Sequence, residues 1–234
     1  MLIDKSKSYR LFDRIAPRYD FINQIISLGL SRGWRKKLTD LLPNAPGLIV
    51  LDLATGTGEV PLMLLRQKSK VQKIIALDRS YPMLSLGKTK IDQQHRPGRV
   101  AFLQGDANVL PFNNQVFDAA TLCFGIRNVP DPAAVLRELR RVLKPGGQIL
   151  IMEFSFPPSG IKQKILGFIL RFFIPIVGGF LSRDPQAYHY LRKSILNFPS
   201  GMAFADMLKQ VGFLEVSFQT CQFGFITIYR GNKR

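Results

Sequence analysis

The chain has 234 residues, and 33 Lys plus Arg against 16 Asp plus Glu give it a formal net charge of +17. That length fits one large domain or one domain with an insertion, and 46% hydrophobic with 11% aromatic residues excludes a disordered chain. Two cysteines, Cys123 and Cys221, are too few for a disulfide framework and lack the company a structural zinc site needs. A reduced, cytoplasmic compartment and no bound metal are therefore expected, and the first twenty residues carry no apolar stretch of the kind a secretory signal requires.

The predicted elements alternate. Residues 48–54 (LIVLDLA) read as a buried strand, followed by the turn TGTGEV and a helical PLMLLRQK. Strands follow at 73–78, 99–107 and 117–126, with a helix at 81–91 that carries Pro82 in its first turn. A further helix near 131–143 is expected to stop at Lys144-Pro145-Gly146-Gly147, because Pro cannot continue it and Gly tolerates positive φ. QILIMEFS (148–155) makes a fifth strand. This βαβ rhythm predicts a doubly wound, mostly parallel sheet with ligands at the carboxyl ends of its strands. A last helix (about 201–211) precedes two close strands, 214–221 and 225–231, which suit an antiparallel hairpin at the sheet edge.

Two segments stand outside that rhythm: a helical N-terminal flap (1–45) and an insertion (156–200). The insertion holds the apolar run 162–181, but six residues separate Lys164 from Arg171 and eleven separate Arg171 from Arg183. A membrane span needs about 20 apolar residues, so this run is expected to lie on a membrane surface, to cover a greasy substrate or to form a buried helix pair. The basic clusters Arg32, Arg35, Lys36, Lys37 and Arg137, Arg140, Arg141, Lys144 read either as contacts for polyanions or as solvated helix faces.

Chemistry concentrates at three strand ends. Gly56 and Gly58 allow a sharp turn and a close ligand approach, with the next helix directing free amides at it. Pro61 replaces the third glycine of a dinucleotide fingerprint, and no Lys-Ser/Thr follows, so neither NAD/FAD nor a phosphate-binding loop fits. Asp78 closes the second strand, where a carboxylate accepts hydrogen bonds from ribose hydroxyls. Asp106 and Ala107 follow the third, where an acid beside a small residue suits an adenine, or else a capped turn. Together they describe a pocket for S-adenosylmethionine.

Longer motifs carry a resemblance. LFDRIAPRYDFINQIISLGLSRGW (11–34), LCFGIRNVPDP (122–132), RVLKPGGQILIMEFS (141–155), YHYLRKSILNFP (188–199) and IYRGNK (228–233) resemble the UbiE/MenG/COQ5 family of quinone-biosynthetic C-methyltransferases over nearly the whole chain. The resemblance implies a class I methyltransferase fold, S-adenosylmethionine as cofactor and methylation of a prenylated demethylnaphthoquinol, with a ubiquinone-pathway benzoquinol or demethylphylloquinol as alternatives. It places Gly56, Thr57 and Gly58 on the methionine side, Asp78 on the ribose and Asp106 with Ala107 on the adenine. Cys123 stands where Ser is frequent, beside the cofactor. Arg127 and Asn128 are expected to stabilise a developing oxyanion, with a structural ion pair as the other role for Arg127. Tyr19 and Asp20 are expected to order a water that takes the proton. Ser31 replaces a usual His, and Lys193 a usually acidic residue.

Phe168, Phe172, Phe173 and Phe180 suit a lipid tail, nearby Lys and Arg suit anionic headgroups, and Tyr188 and Tyr190 are expected to line or close the substrate pocket. His189 reads as structural rather than as a general base. A homodimer is compatible with this reading. A nucleic-acid methyltransferase predicts a contiguous basic face beside the cleft, and FGIRNV stands where a base-methylating Asn-Pro-Pro-Tyr motif would, so no nucleic-acid partner is expected.

Overall fold

The computed structural model describes residues 5–66, 70–94, 98–156, 159–173 and 184–234. Its centre is β1 (Leu48–Leu53), an apolar strand buried along nearly all its length, as a strand covered by helices on both faces must be. Around it β2 (Val71–Asp78), β3 (Val100–Gln104), β4 (Phe117–Cys123), β5 (Leu143–Phe154), β6 (Leu214–Cys221) and β7 (Ile226–Asn232) form one seven-stranded sheet, in the order β3-β2-β1-β4-β5-β7-β6. The first five strands are parallel, and β7 runs antiparallel to both β5 and β6. The order reverses beside β1, which opens the crevice where such folds bind ligands.

Between strands run α4 (Glu59–Leu64), α5 (Tyr81–Asp92) and α6 (Pro132–Val142). Ser80 and Asp131 cap α5 and α6 by accepting from the amides of Met83 and Ala134, and a Pro opens each helix where no amide is needed. Gly87 lets α5 rest directly on the glycine turn: a Cβ there would meet the Phe102 ring at 2.9 Å and the Thr57 carbonyl carbon at 3.1 Å. One expectation is corrected here. The helix ends at Val142, but Lys144–Gly147 belongs to β5 instead of forming a loop. Gly146, at φ +74°, donates to Lys233, and Lys233 donates to Gly147, so the tail beyond β7 pairs with that segment.

The flap consists of α1 (Ser8–Ile15), α2 (Tyr19–Ile26) and α3 (Ser31–Asp40), and the insertion contributes α7 (Gly160–Phe168) and α8 (Pro185–Asn197). Ile169–Phe173 continue α7 as a π-helical turn, and α9 (Met202–Gln210) leads into the final hairpin. The two faces of the sheet each bury a core. A third core joins Leu11, Ile15 and Ile22 of the flap to Leu166, Leu170 and Tyr190 of the insertion. The flap and insertion, far apart in sequence, therefore form one cap, and Arg14 of α1 pairs with Asp184 at the start of α8 at 2.9 Å. Among the described residues no helix is long and apolar enough to cross a membrane.

Candidate active site

Two cavities meet under the cap. The smaller, about 120 Å³, is lined at the strand ends by Gly56, Asp78, Asp106, Ala107 and Cys123, five of the seven residues expected to bind the cofactor. Thr57 and Gly58 are not among its lining residues. Gly58, at φ +76°, is the N-cap of α4, and Thr57 is buried. Their part is to shape the turn.

That turn is built from carboxylates. Asp52 receives Thr55 Oγ1 on one oxygen and Thr121 Oγ1 on the other, both at 2.6 Å. Burial pushes its carboxyl up to about 7 against those two hydroxyls. The Gly56 amide donates to Asp78 Oδ2 at 2.7 Å, and the Ser80 amide donates to Oδ1 at 2.9 Å. Burial raises the Asp78 carboxyl, while those amides oppose the shift. Each Asp78 oxygen keeps a lone pair for a further donor, and the place a Gly56 Cβ would fill is open. A ribose diol beside a closely approaching chain fits both features. Asp106 accepts from the Asn108 amide and side chain at 2.9 and 2.7 Å and faces Arg79 at 3.3 Å. It thus caps a turn while also lining the cavity, and these partners hold its carboxyl below the ordinary range despite partial desolvation. Burial pushes the Cys123 thiol up to about 12.

The second cavity is larger, about 620 Å³, and its walls are mostly apolar, drawn from the flap, the insertion and the turn between β6 and β7. Phe12, Tyr19 and Phe124 line both cavities and frame the passage between them. Phe12 meets Tyr19 edge-to-face at 6.2 Å, and Phe124 holds φ +61° at the tip of β4, a conformation uncommon for a bulky residue. Tyr190 lines the larger cavity as expected. The Tyr188 side chain, the Phe173 side chain and Phe180 lie outside the described residues. Phe168 and Phe172 are exposed and stack on each other at 5.0 Å. The same run instead turns Ile165, Leu166, Ile169 and Leu170 to the cavity, so the expected tail-lining set shifts from its phenylalanines to its aliphatics.

Two of the expected reacting groups are engaged by other residues of the protein. Arg127 lines the large cavity, but its guanidinium lies 2.6 Å from Glu153 Oε1 and also donates to the Phe124 carbonyl and Ser194 Oγ. The buried ion pair, not a free cation, is what the fold provides. Asp20 lines neither cavity: its Oδ1 accepts from Thr57 Oγ1 at 2.6 Å and its Oδ2 pairs with Lys90, which also holds Glu59 at 2.8 Å. These contacts fasten α2 to the glycine turn. Asn128 lines the smaller cavity with its carboxamide engaged at both ends, by the Tyr190 hydroxyl at 3.1 Å and the Phe124 carbonyl at 3.3 Å. Tyr19 stands at the passage, and burial raises its phenol. His189 and Lys193 are exposed and line neither cavity.

Several functional positions escaped the sequence reading. Lys5, Ser8 and Tyr9 close the smaller cavity from the flap, whose sequence there is polar and unremarkable. Glu153 hides inside an apolar strand. Arg35 belongs to a cluster that suits either a polyanion contact or a solvated face, yet it lines the large cavity beside Trp34. Its place next to Trp34 and Leu38, the apolar side of α3, is the signal that could have separated it from Lys36 and Lys37.

A glycine turn, acidic strand ends and this strand order define an S-adenosylmethionine-dependent methyltransferase. A SAM-dependent methyltransferase from Thermotoga maritima shares the fold with a TM-score of 0.69 at 19% identity, covering 97% of this chain and 99% of that one. The chain belongs to the ubiE/COQ5 methyltransferase family, whose model matches residues 1–233. It is 40% identical over 233 residues to the ubiquinone/menaquinone biosynthesis C-methyltransferase UbiE of Geobacter sulfurreducens, covering 99% of this chain and 91% of that one. It is 42% identical over 230 residues to the demethylmenaquinone methyltransferase of Thermotoga maritima, covering 97% and 96%. The chain is accordingly an S-adenosylmethionine-dependent C-methyltransferase.

Proposed function

We propose that the chain methylates a ring carbon of a prenylated demethylnaphthoquinol, converting demethylmenaquinol to menaquinol. The observation that carries this reading is the pair of cavities sharing Phe12, Tyr19 and Phe124. The strand-end groups of the smaller one suit a polar cofactor, and a flat ring with an isoprenoid tail suits the larger, which is within the usual size range of small-molecule sites. The name of the Thermotoga relative supports the naphthoquinol. The name of the Geobacter relative favours a second reading, in which a benzoquinol of ubiquinone synthesis is also a substrate.

In this reading Asp78 receives the ribose hydroxyls, Asp106 and Ala107 meet the adenine, and the turn at Gly56 lets the methionine end approach. When bound, S-adenosylmethionine would supply an electrophilic methyl on a sulfonium to the ring carbon, the methyl–sulfur pair returning to sulfur and the proton on that carbon passing to water as the ring regains aromaticity. The cap residues exclude water from the passage, and alignment of ring and donor supplies much of the rate. Arg127 and Glu153 hold the tip of β4, which carries Phe124, in place.

The mouth of the large cavity also supports contact with an anionic membrane surface. Leu28, Ile161 and Phe223 line it while remaining 78%, 69% and 71% exposed, and Arg171 sits 5.4 Å over the Phe172 ring nearby in the chain. Such a rim lets a lipid-dissolved tail enter from the bilayer. Flotation with anionic vesicles at low salt is expected to carry the protein upward, and a protein that stays in the soluble fraction refutes this contact.

The reaction is tested by incubating the protein with labelled S-adenosylmethionine and reduced demethylated quinols, naphthoquinol beside benzoquinol, with an RNA control. Label in the naphthoquinol is the expected outcome, and comparable benzoquinol turnover identifies a dual-substrate enzyme. Cofactor binding without any quinol product overturns the proposal.

A further inference from the structure

Only two charged residues, Arg35 and Arg127, line the large cavity among the described residues. They differ in one respect. Arg127 is neutralised by Glu153 at 2.6 Å. No carboxylate of the described residues lies within 4 Å of Arg35, whose guanidinium donates to the Ser31 carbonyl at 3.3 Å and reaches the Cys123 thiol. The acidic groups that face it act on it from longer range: Asp20 and Glu59 share Lys90, Asp52 receives the hydroxyls of Thr55 and Thr121, and the field of Asp20 and Glu59 favours the Arg35 charge. Its other titratable neighbours, the Tyr19 phenol and the Cys123 thiol, are neutral groups whose ionisation burial opposes.

Position adds to charge. Arg35 lies 5.8 Å over the ring of Phe124, which lines both cavities, and touches Cys123, which lines the cofactor side. A guanidinium in an apolar wall with no carboxylate in direct contact leaves its cavity side open to a visiting anion.

We propose that Arg35 binds the ionised ring oxygen adjacent to the reacting carbon of the quinol, the role that the sequence assigned to Arg127. The inference rests on the quinol reading above. Ionisation releases the hydroxyl proton to water, and the oxygen's electron pair raises the nucleophilicity of the neighbouring ring carbon. A cation held within a few ångströms of a phenol favours its phenolate by about one to three pH units. Because Arg35 is fixed by the Ser31 carbonyl and the Phe124 ring, it needs little rearrangement to meet that charge. Ser31 enters through its backbone, so the loss of the family's usual His there leaves this contact intact.

The test uses 4-nitro-1-naphthol, whose phenolate is coloured, bound to the full chain. The wild-type protein is expected to hold the dye at least about tenfold further toward phenolate than Arg35→Met does, with Arg35→Lys recovering part of the shift. Lys36→Met, which removes an exposed charge from the same helix, is the control and should titrate like wild type. Turnover of the quinol should fall about a hundredfold or more in Arg35→Met, mainly in kcat, with S-adenosylmethionine affinity unchanged. Wild-type protein with no preference for phenolate overturns the inference, and so does an Arg35→Met variant with wild-type titration and turnover. If Arg35→Met does not fold, Arg35→Gln takes its place: a dye titration moved away from phenolate with intact cofactor binding supports the assignment, and wild-type behaviour overturns it. Wild type that shifts the dye but methylates no quinol retires the quinol reading while leaving an anion site at Arg35.

Discussion

Arg127 and Glu153 form an ion pair at 2.6 Å with the two side chains only 6% and 0% exposed. Burial pushes the Glu153 carboxyl up, and Arg127 with the amides of Phe154 and Arg127 opposes that shift. Removing one partner strands the other charge in the interior. Glu153→Gln and Arg127→Met are each expected to lose about 3–5 kcal/mol of stability, a fall in Tm of roughly 10 °C for a chain of this size. The double variant Arg127→Met/Glu153→Gln should lose less than the sum of the two. Calorimetric melting of all three variants checks this, and additive losses contradict it.

Asp20 joins the flap to the cofactor loop through Thr57 and Lys90, and Asp13 adds a second latch to Ser80 at 2.5 Å. Both latches must open for cofactor exchange, because the flap covers the smaller cavity. Asp20→Asn is expected to weaken S-adenosylmethionine binding roughly tenfold, the loss of about one charge-assisted hydrogen bond, mainly by faster release. Stopped-flow dissociation with S-adenosylhomocysteine reads this directly. Unchanged release in an Asp13→Asn/Asp20→Asn double variant would show that the flap moves without breaking these contacts.

Asp52 ties stability to pH. Its folded pKa of about 7 lies above the unfolded value of about 3.9, so between those values the folded chain holds a proton that the unfolded chain has released. Its contribution to stability is therefore complete below about pH 4, declines as pH rises by at most about 1.4 kcal/mol per unit, and levels off above about 7. Asp52→Asn should flatten the wild-type curve within that window. Urea unfolding from pH 5 to pH 8 tests it, and parallel curves for the two proteins refute it.

Cys123 lines the cofactor cavity, yet its thiol is pushed up to about 12 by burial. At pH 8 the thiolate fraction is on the order of one in ten thousand. Iodoacetamide is expected to alkylate it at least about a hundredfold more slowly than a free thiol, and at the ordinary rate once the chain is unfolded in urea. Mass spectrometry of the Cys123 peptide distinguishes these, and rapid native labelling would place the thiol in a more polar setting than the structure gives it.

Gly56, Asp78, Asp106 and Ala107 were legible because each sits at a strand end beside its own turn, where a local pattern announces both the backbone geometry and the exposed chemistry. The contact between Asp20 and Thr57 is not legible in the sequence because the two lie 37 residues apart, and nothing local marks the carboxylate as a latch. Glu153 was read as part of an apolar strand, QILIMEFS, and its partner Arg127 stands at the tip of the neighbouring strand, 26 residues earlier. Arg35 shared a basic cluster with Lys36, and only the packing of α3 separates the side chain that lines the cavity from the one that reaches solvent and Asp40.

By itself the sequence determined the alternation of strands and helices, the antiparallel closing hairpin, the glycine turn and the family, because periodicity, caps and turn residues act between near neighbours and survive in linear order. The tertiary structure decided that the flap and the insertion share one core, that their aliphatic residues enclose the larger cavity, and that of two arginines lining it Arg127 is neutralised. Charge pairing and cavity formation depend on through-space distances of a few ångströms between segments from 26 to 170 residues apart, and a favourable partner for a buried charge exists only once the chain has folded around it.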